Sequence, residues 1–352
     1  MTPSAAIRQQ GAACAALGSP MYAALCARLA DDLDVGGPAA DVLAGHLHLG
    51  GPDALALRLL GAVHRRVLER RAGVLATFYP SVGGTWADEA GWAAFRDLLA
   101  TEPDAVRAGL ERPPQTNEVG RVAALLGGLL HLPDACRLPV RLHEIGASGG
   151  LLLRPDHVRC TGTDGPQRLA VGPTDARVVL EDAWTGQLDL LRPWPDLRVV
   201  LRRGGDLAPV DPTTTEGRTT LAAYTWPDQP ERWERLRAAL ALAAAVPATV
   251  EATDAADLAS RIELVDGTTT VLWQAVVQQY LPSGTAARVE QRIADLLDAA
   301  TPDAPFVHLA LEPRPRGEDR PFTVTLRAAW GTGRDERDLG TASPHGVPVR
   351  WG

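Results

Sequence analysis

The 352-residue chain contains no lysine, so all 35 of its basic residues are arginine. This absence excludes enzymes that bind pyridoxal phosphate or a carbonyl substrate through a lysine Schiff base. It also excludes a Walker-type phosphate loop, because that loop needs a lysine. Isoleucine is scarce too, with four residues, while alanine, arginine, proline and glycine are abundant. This composition indicates the codon bias of a GC-rich genome.

The chain also lacks an excess of positive charge, cysteine pairs and long apolar runs. The net charge is -8 and the arginines are spread along the sequence, which disfavours a nucleic-acid partner. None of the four cysteines has CxxC spacing, so we expect no metal site. No apolar run approaches the roughly 20 residues that span a bilayer, and the N-terminus does not resemble a secretory signal. We therefore expect a cytoplasmic protein without a membrane partner.

The apolar spacing changes at residue 138 and predicts two domains. In residues 1–137 apolar residues recur every three to four positions, as in Met21–Leu33, which is typical of helices. Ser19-Pro20 is a suitable cap for that helix. Residues 138–352 alternate short apolar runs with helical segments, which predicts a parallel sheet with crossover helices. We interpret residues 156–197 as an irregular insertion in this sheet domain.

The fold class that follows is α/β, a Rossmann-like sheet with an N-terminal α-helical domain that serves as a cap or substrate domain. Phe322–Trp330 and Val347–Trp351 are expected to form a C-terminal antiparallel hairpin at the sheet edge. The parallel strands are predicted at Val140–Ile145, Arg198–Arg202, Ala248–Ala252, Thr270–Val276 and Phe306–Leu311.

The segment Leu142–Leu152 (LHEIGASGGLL) is the most informative local feature. Its apolar strand ends at Glu144 and is followed by a turn rich in glycine. Glycines at a strand-to-helix turn let the backbone bend tightly and approach a ligand closely. The acidic residue before the turn can bind a ligand amine or hydroxyl. In an open α/β sheet, such a turn lies where ligands bind, at the topological switch point.

The turn resembles the E-x-G-x-S-x-G variant of the nucleotide turn in class I methyltransferases. The resemblance implies a fold of that type, with S-adenosylmethionine lying against the turn. It implies that Asp206 faces the ribose, that Asp254 faces the adenine and that Gln274 lies below the transferred group. The cofactor-binding residues that it implies are Glu144, Gly146, Ala147, Ser148, Gly149, Gly150, Asp206, Asp254 and Gln274.

The same turn matches G-x-S-x-G, the nucleophile elbow of α/β-hydrolases. Ser148 would then be the nucleophile, a downstream aspartate such as Asp266 would orient the base and His345 would be the base. Against this reading, that fold needs several strands before the elbow, and the preceding residues are helical in pattern. Pro155 would also interrupt the helix that must follow the serine. A glycine turn that binds no ligand is a third reading.

Two polar loops, Phe78–Gly84 and Pro113–Arg121, are candidates for contact with substrate. The structural alternative for the second loop is that Thr116 or Asn117 caps the following helix. The candidate general bases are His64, Glu118 and His345, and His64 has the alternative of a structural histidine in its helix. The candidate substrate residues are Tyr79, Ser81, Gln115, Asn117, Arg121, Gln278 and Tyr280.

Longer motifs connect these residues into one pattern. In chain order they are SPMYAAL, LRLLGAVHRRVL, FYPSVGG, QTNEVGR, EIGASGGL, RRGGDLAPVD, WPDQPERWERLRAAL, QQYLP and TASPHG. From about residue 8 to residue 351 the chain therefore resembles an uncharacterised, mostly actinobacterial family, domain-of-unknown-function family 2332. The resemblance implies a methyltransferase-like fold with an N-terminal helical part and no established reaction. Leu152 and Gln274 depart from the family pattern, which has asparagine and histidine at these positions.

The leading functional hypothesis is a small-molecule transferase that uses S-adenosylmethionine for methyl transfer, for instance in natural-product metabolism. The first alternative is a cofactor-independent enzyme that uses the vestigial cofactor pocket for an amine-bearing substrate. The second is a non-catalytic protein that binds a small molecule. A homodimer is left open. We also expect that Gly146→Val abolishes ligand binding in a protein that still folds.

Overall fold

The computed structural model describes residues 1–48, 54–111, 113–315 and 320–352. The chain divides into two compact units. The first unit comprises Met1–Thr116 and Thr214–Glu234, and the second comprises Asn117–Thr213 and Arg235–Gly352.

The helices of the described ranges are α1 (Pro3–Ala16), α2 (Pro20–Asp34), α3 (Pro38–Leu43), α4 (Leu55–Leu68), α5 (Asp88–Thr101), α6 (Pro103–Arg107), α7 (Val122–Leu130), α8 (Thr215–Ala223), α9 (Pro230–Ala245), α10 (Ala255–Ser260) and α11 (Ser283–Ala299). The strands are β1 (Val140–Ile145), β2 (Val158–Asp164), β3 (Gln167–Val171), β4 (Val178–Gly186), β5 (Val199–Asp206), β6 (Thr249–Ala252), β7 (Thr269–Ala275), β8 (Phe306–Pro313), β9 (Phe322–Trp330), β10 (Gly333–Ala342) and β11 (Val349–Trp351).

The first unit is helical, as its apolar spacing predicts. Helix α2 begins at Pro20, and the Ser19 hydroxyl accepts a hydrogen bond from the backbone N–H of Tyr22 at 3.3 Å, which confirms the predicted cap. The same hydroxyl donates to Asp228 at 2.7 Å. This bond helps to explain why Thr214–Glu234, although distant in sequence, belongs to the helical unit.

The second unit contains one mixed sheet of eleven strands, in the order β3-β2-β4-β11-β10-β9-β8-β7-β1-β5-β6. This architecture confirms the α/β class. The strands β6, β5, β1, β7 and β8 are mutually parallel. If these five strands alone are numbered 1 to 5 in chain order, as β1, β5, β6, β7 and β8, their order across the sheet is 3-2-1-4-5. Strands β1, β7 and β8 are almost wholly buried, which explains why they were visible in the sequence as apolar runs.

The expected irregular insertion is instead part of the sheet. Residues 156–197 contain β2, β3 and β4, and β4 pairs with the C-terminal strand β11. The sequence did not reveal β3 because the strand has only five residues, three of which are exposed. In residues 156–197 the strands are therefore determined by their pairing with neighbouring strands and not by a local apolar periodicity.

The predicted hairpin also differs from the structure in partner and position. Phe322–Trp330 is β9, with the predicted bounds, but it pairs with Gly333–Ala342 rather than with Val347–Trp351. The hairpin lies inside the sheet, between β8 and β11, and not at its edge. Strand β10 (GRDERDLGTA) has little apolar character, so its alternation was not recognisable.

Helix α7 belongs to the sheet unit, so the boundary between the units differs from the predicted one at residue 137. The indole N–H of Trp184 on β4 donates to the carbonyl of Ala123 on α7 at 3.0 Å. All nine residues of α7 are buried. A helix that is apolar on every side needs neighbours around it, which the sheet unit supplies. Among the described helices, none has the length and apolar character needed to cross a membrane.

Candidate functional site

The switch point of the parallel strands lies between β1 and β7. After β1 the chain first forms β2, β3 and β4 at the far end of the sheet. It then adds β5 and β6 on one side of β1 and afterwards crosses to β7 on the other side. In open sheets of this kind, ligands bind outside the carboxyl ends of the strands at such a reversal. The carboxyl ends of the central strands carry the polar residues Glu144 on β1, Asp206 on β5, Gln274 on β7 and Glu312 on β8.

The glycine turn is fixed by hydrogen bonds to the end of β5. The backbone N–H groups of Gly146 and Ala147 both donate to the carbonyl of Gly205, at 2.9 and 3.1 Å. The N–H of Ser148 donates to Asp206 Oδ2 at 2.9 Å. Ser148 itself has φ +51°, an uncommon conformation for a residue other than glycine. The turn is therefore a rigid connection and not a flexible loop.

The two outer glycines of the turn are required by backbone conformation and by packing. Gly146 has φ +68° and Gly150 has φ +64°, a region in which glycine is favoured. A Cβ on Gly146 would lie 2.6 Å from Val277 Cγ2, and one on Gly150 would lie 2.7 Å from Val250 Cγ2. Protein side chains therefore fill the space that a larger residue would need. Gly146→Val is therefore expected to destabilise the protein as well as to prevent ligand binding.

The turn does not lead into a helix. Residues 151–154 form turns, and Pro155–His157 is one turn of 3-10 helix that precedes β2. Arg154 closes this segment by donating to the carbonyls of Gly150 and Val246, both at 2.6 Å. Sequence reasoning missed Arg154, although an arginine within a run of leucines next to the turn was a usable signal.

The strand-to-loop geometry contradicts the hydrolase triad. Asp266 precedes β7, whereas Ser148 follows β1, and these two strands are parallel. The two residues therefore lie beyond opposite ends of adjacent strands, separated by about 3.3 Å for each strand residue. Asp266 cannot orient a base for Ser148. The nucleophile elbow also lacks the helix that follows it in that fold.

Glu144 is a buried carboxyl group with an unused oxygen. Its side chain is 2% exposed, and its Oε2 has no hydrogen-bond partner among the described residues. Burial raises the pKa of Glu144 well above its ordinary value, and the nearby negative charge of Asp206 raises it further. Arg121 and Arg154 act in the opposite direction. A ligand cation at this position would supply the missing partner and favour the ionised carboxylate.

Glu312 is a second buried carboxyl group, which sequence reasoning missed. It is 3% exposed, and its Oε1 accepts from the N–H groups of Val277 and Gln278, at 2.9 and 3.2 Å, and from Gln274 Nε2 at 3.3 Å. Its Oε2 has no partner within the described parts of the chain. Burial raises the pKa of Glu312. The available signal was an acidic residue at the end of an apolar strand, the same signal that identified Glu144.

Glu312 stabilises an uncommon backbone conformation after β7. Val276 has φ +57°, which is exceptional for a β-branched residue. The carbonyl of the preceding residue, Ala275, accepts a hydrogen bond from Arg121 Nη1 at 3.2 Å. Strained backbone at a switch point is the kind of feature found at binding sites. Gln278 and Tyr280, two substrate candidates, lie in the exposed segment that follows.

Three further candidates, Glu118, Arg121 and His345, lie on two chain segments that contact each other. Arg121 is close enough to Glu144 and Glu312 to lower the pKa of both. Arg121 Nε donates to the carbonyl of Pro344 at 2.9 Å, so the chain segment with His345 lies against that of Arg121. Glu118 caps the 3-10 turn at Val119–Arg121 by accepting from the N–H of Gly120. Neither Thr116 nor Asn117 supplies this cap. Asn117 Oδ1 instead accepts from the N–H of Leu151, at 2.8 Å, and so supports the glycine turn.

Asp254 has a structural role. Its carboxylate caps α10 by accepting from the N–H of Ala256 at 2.8 Å. It also accepts from the Thr285 hydroxyl and forms an ion pair with Arg288, both at 3.2 Å. These contacts engage both carboxylate oxygens, so the contact with adenine implied by the resemblance stays a prediction.

The remaining candidates lie in the first unit. His64 is fully buried, with Nδ1 3.1 Å from the carbonyl of Ala223 and Nε2 2.8 Å from Ser81 Oγ. The ring of Tyr79 lies 5.4 Å from that of His64. Gln115 is also buried. The structure therefore brings His64, Tyr79 and Ser81 together.

The family model of DUF2332, described as an uncharacterized protein conserved in bacteria, matches residues 4–351. The chain belongs to the DUF2332 family. No curated protein and no solved structure matches this DUF2332 chain.

Proposed function

We propose that this DUF2332 protein is a small-molecule transferase that uses S-adenosylmethionine for methyl transfer, on a class I methyltransferase-type sheet. The observation that supports this proposal most strongly is the position of the Glu144–Gly150 turn. The turn follows the central parallel strand β1 at the switch point of a 3-2-1-4-5 strand order. Asp206 lies at the end of the adjacent strand β5.

The residues present fit this cofactor in three respects. Glu144 has a buried oxygen without a partner, which suits the ammonium group of the methionine part. The turn keeps its backbone close to the strand ends through Gly146 and Gly150. Asp206 accepts one backbone N–H on each oxygen, from Ser148 and from Ala208, and each oxygen retains a lone pair for a ribose hydroxyl. The fit is weakest at Asp254, whose carboxylate caps α10 and forms an ion pair with Arg288.

When bound, the cofactor would supply an electrophilic methyl group, and the chain would supply position and surroundings. Methyl transfer depends mainly on in-line placement and on exclusion of water. Glu312 holds the loop after β7 through two backbone N–H groups and so fixes the backbone next to the switch point. Glu118 and His345 are the candidate bases of this unit, and a base is needed where the acceptor has a high pKa.

Isothermal titration of the full chain with S-adenosylmethionine and with S-adenosylhomocysteine tests the proposal. We expect micromolar binding of at least one of them, about -8 kcal/mol. Glu144→Gln should weaken binding at least tenfold because it removes the negative charge that pairs with the ammonium group. The exposed Glu263, also in the second unit, provides the control variant Glu263→Gln, which should bind like the parent. Absence of binding at millimolar ligand contradicts the proposal.

A cofactor-independent enzyme for an amine-bearing substrate is the second candidate. The observation that favours it is the unpartnered Oε2 of Glu312, since two buried carboxyl groups suit a cationic ligand without any nucleoside. Thermal unfolding in the presence of an amine panel distinguishes the candidates. Stabilisation by an amine in a protein that ignores S-adenosylhomocysteine supports the second candidate. Amine binding without turnover would indicate a binding protein.

A further inference from the structure

His64 and Ser81 form a hydrogen-bonded pair whose polarity can be derived from their neighbours. His64 Nδ1 lies 3.1 Å from the carbonyl oxygen of Ala223, and a carbonyl oxygen can only accept. Nδ1 therefore carries the proton, and Nε2 has a free lone pair. Ser81 Oγ lies 2.8 Å from Nε2, so the serine hydroxyl must donate to the imidazole. This is the arrangement of a serine nucleophile, a histidine base and a group that orients the base.

The imidazole is in the protonation state that a general base requires. No surface of His64 is exposed, and burial lowers its pKa to about 4. At neutral pH the ring is therefore uncharged and able to accept a proton from Ser81. Tyr79 and Trp233 pack against the ring, with centroids 5.4 and 5.6 Å away, and hold its orientation.

The loop presents the serine in a fixed position. Ser81 lies in the 3-10 turn Pro80–Val82, and the turn ends at Gly83 with φ +90°. The N–H of Thr85 donates to the carbonyl of Thr77 at 2.9 Å, which closes the loop at its base. Ser81 remains partly exposed, whereas His64 beneath it is sealed. The buried hydroxyl of Tyr79 has no partner in the described ranges, and it is therefore a donor that the fold itself leaves unused.

We propose that Ser81 is a nucleophile activated by His64 and that this pair catalyses acyl transfer from activated esters. The Ser81 oxygen forms a bond to the ester carbonyl carbon while its proton passes to His64 Nε2. The bond between that carbon and the leaving oxygen then breaks, and the leaving alkoxide takes the proton from Nε2. Water then adds to the acyl carbon while its proton passes to His64 Nε2. The bond between that carbon and Ser81 Oγ breaks, and Ser81 takes the proton back as the carboxylic acid is released. This activity lies in the first unit and needs no cofactor, so it is independent of the proposed methyl transfer.

A biotinylated fluorophosphonate probes this pair directly in the full-length protein. Attack by Ser81 on phosphorus expels fluoride and leaves a stable adduct, which peptide mass spectrometry locates. We expect the adduct on the peptide that contains Ser81 and its loss in Ser81→Ala. His64→Gln should slow labelling at least a hundredfold, because the proton acceptor is removed. Ser260→Ala is the control, because Ser260 is exposed and lies outside both proposed sites, and it should be labelled like the parent.

Hydrolysis of p-nitrophenyl acetate by the same variants gives a second readout. The parent rate should fall to background in Ser81→Ala and remain unchanged in Ser260→Ala. Labelling of Ser81 at the rate of an ordinary surface serine, or equal labelling in His64→Gln, overturns the proposal. If His64→Gln does not fold, the comparison of the parent with Ser81→Ala still decides, since a parent that is not labelled at Ser81 refutes the nucleophile.

Discussion

The hydrogen bonding of buried polar groups differs between the switch point of the sheet unit and the serine loop of the helical unit. At the switch point, Glu144 and Glu312 each keep one buried oxygen without a partner among the described residues. At the serine loop, both nitrogens of His64 are hydrogen-bonded. A buried polar atom without a partner costs about 1–3 kcal/mol, whereas a satisfied one contributes to stability. The switch point therefore loses stability at two carboxyl groups where a ligand is expected, whereas the catalytic pair of the serine loop is satisfied and, in the described part of the chain, only the neighbouring Tyr79 hydroxyl is not.

The largest expected effect concerns the rigidity of the glycine turn. Gly146→Val should destabilise the protein by about 3–5 kcal/mol, because a β-branched residue would occupy the left-handed region and also meet Val277. Gly267→Val is the matched control, since Gly267 has φ +75° but nothing within 4 Å of the added Cβ. Chemical denaturation should give a loss of only about 1–2 kcal/mol for the control. Equal losses would show that the contact with Val277 has no role.

The second effect is a pH dependence of folding stability that originates at His64. Its pKa is about 4 in the folded protein and about 6.5 when unfolded, so below pH 6.5 the unfolded state binds more protons. The free energy of unfolding of the parent should fall by about 1.4 kcal/mol per pH unit because of this group, as the pH falls from 6.5 towards 4. His64→Gln keeps a donor and an acceptor but does not titrate. Denaturation curves at several pH values should therefore show a smaller slope for the variant, and parallel slopes would refute the assignment.

The smallest effect is a change of folding stability with the opposite pH dependence, and it originates at Glu144 at the switch point. The raised pKa of Glu144 means that the folded state retains a proton that the unfolded state loses above about pH 4.5. Stability from this group is full below pH 4.5 and declines as the pH rises towards the folded pKa. Glu144→Gln removes this decline and should be more stable than the parent at pH 8, by about 1 kcal/mol, with no gain at pH 4.5. Glu263→Gln should show no such pH-dependent difference.

The parallel half of the sheet was readable from the sequence because its strands are buried on both faces. Val140–Ile145 was predicted with its bounds, and Glu144 was identified as the acid that ends it. Glu312 ends β8 in the same way but was overlooked, since its strand was predicted to stop at Leu311. The other half of the sheet was largely missed, because β3 and β10 carry polar and exposed side chains. Such strands are defined by their partners, which are far away in the sequence.

The roles of single polar residues were the least predictable. Asn117 and Glu118 both lie in one polar loop, yet one supports the glycine turn and the other caps a short helical turn. Asp254 follows a parallel strand, as a ligand-binding residue would, but it is engaged in capping α10. The choice between such roles depends on which donors are within 3 Å, and this information is not local.

The sequence by itself determined the α/β class, the central buried strands, the position of the glycine turn and, through the absence of lysine, several chemistries that this protein cannot perform. These properties follow from local apolar patterns, backbone preferences and residue types. Only the tertiary structure decided that residues 156–197 extend the sheet, that Glu312 joins Glu144 at the switch point and that Ser81 meets His64. Each of these depends on contacts between distant segments, where burial and hydrogen-bond geometry determine which groups meet and which remain without a partner.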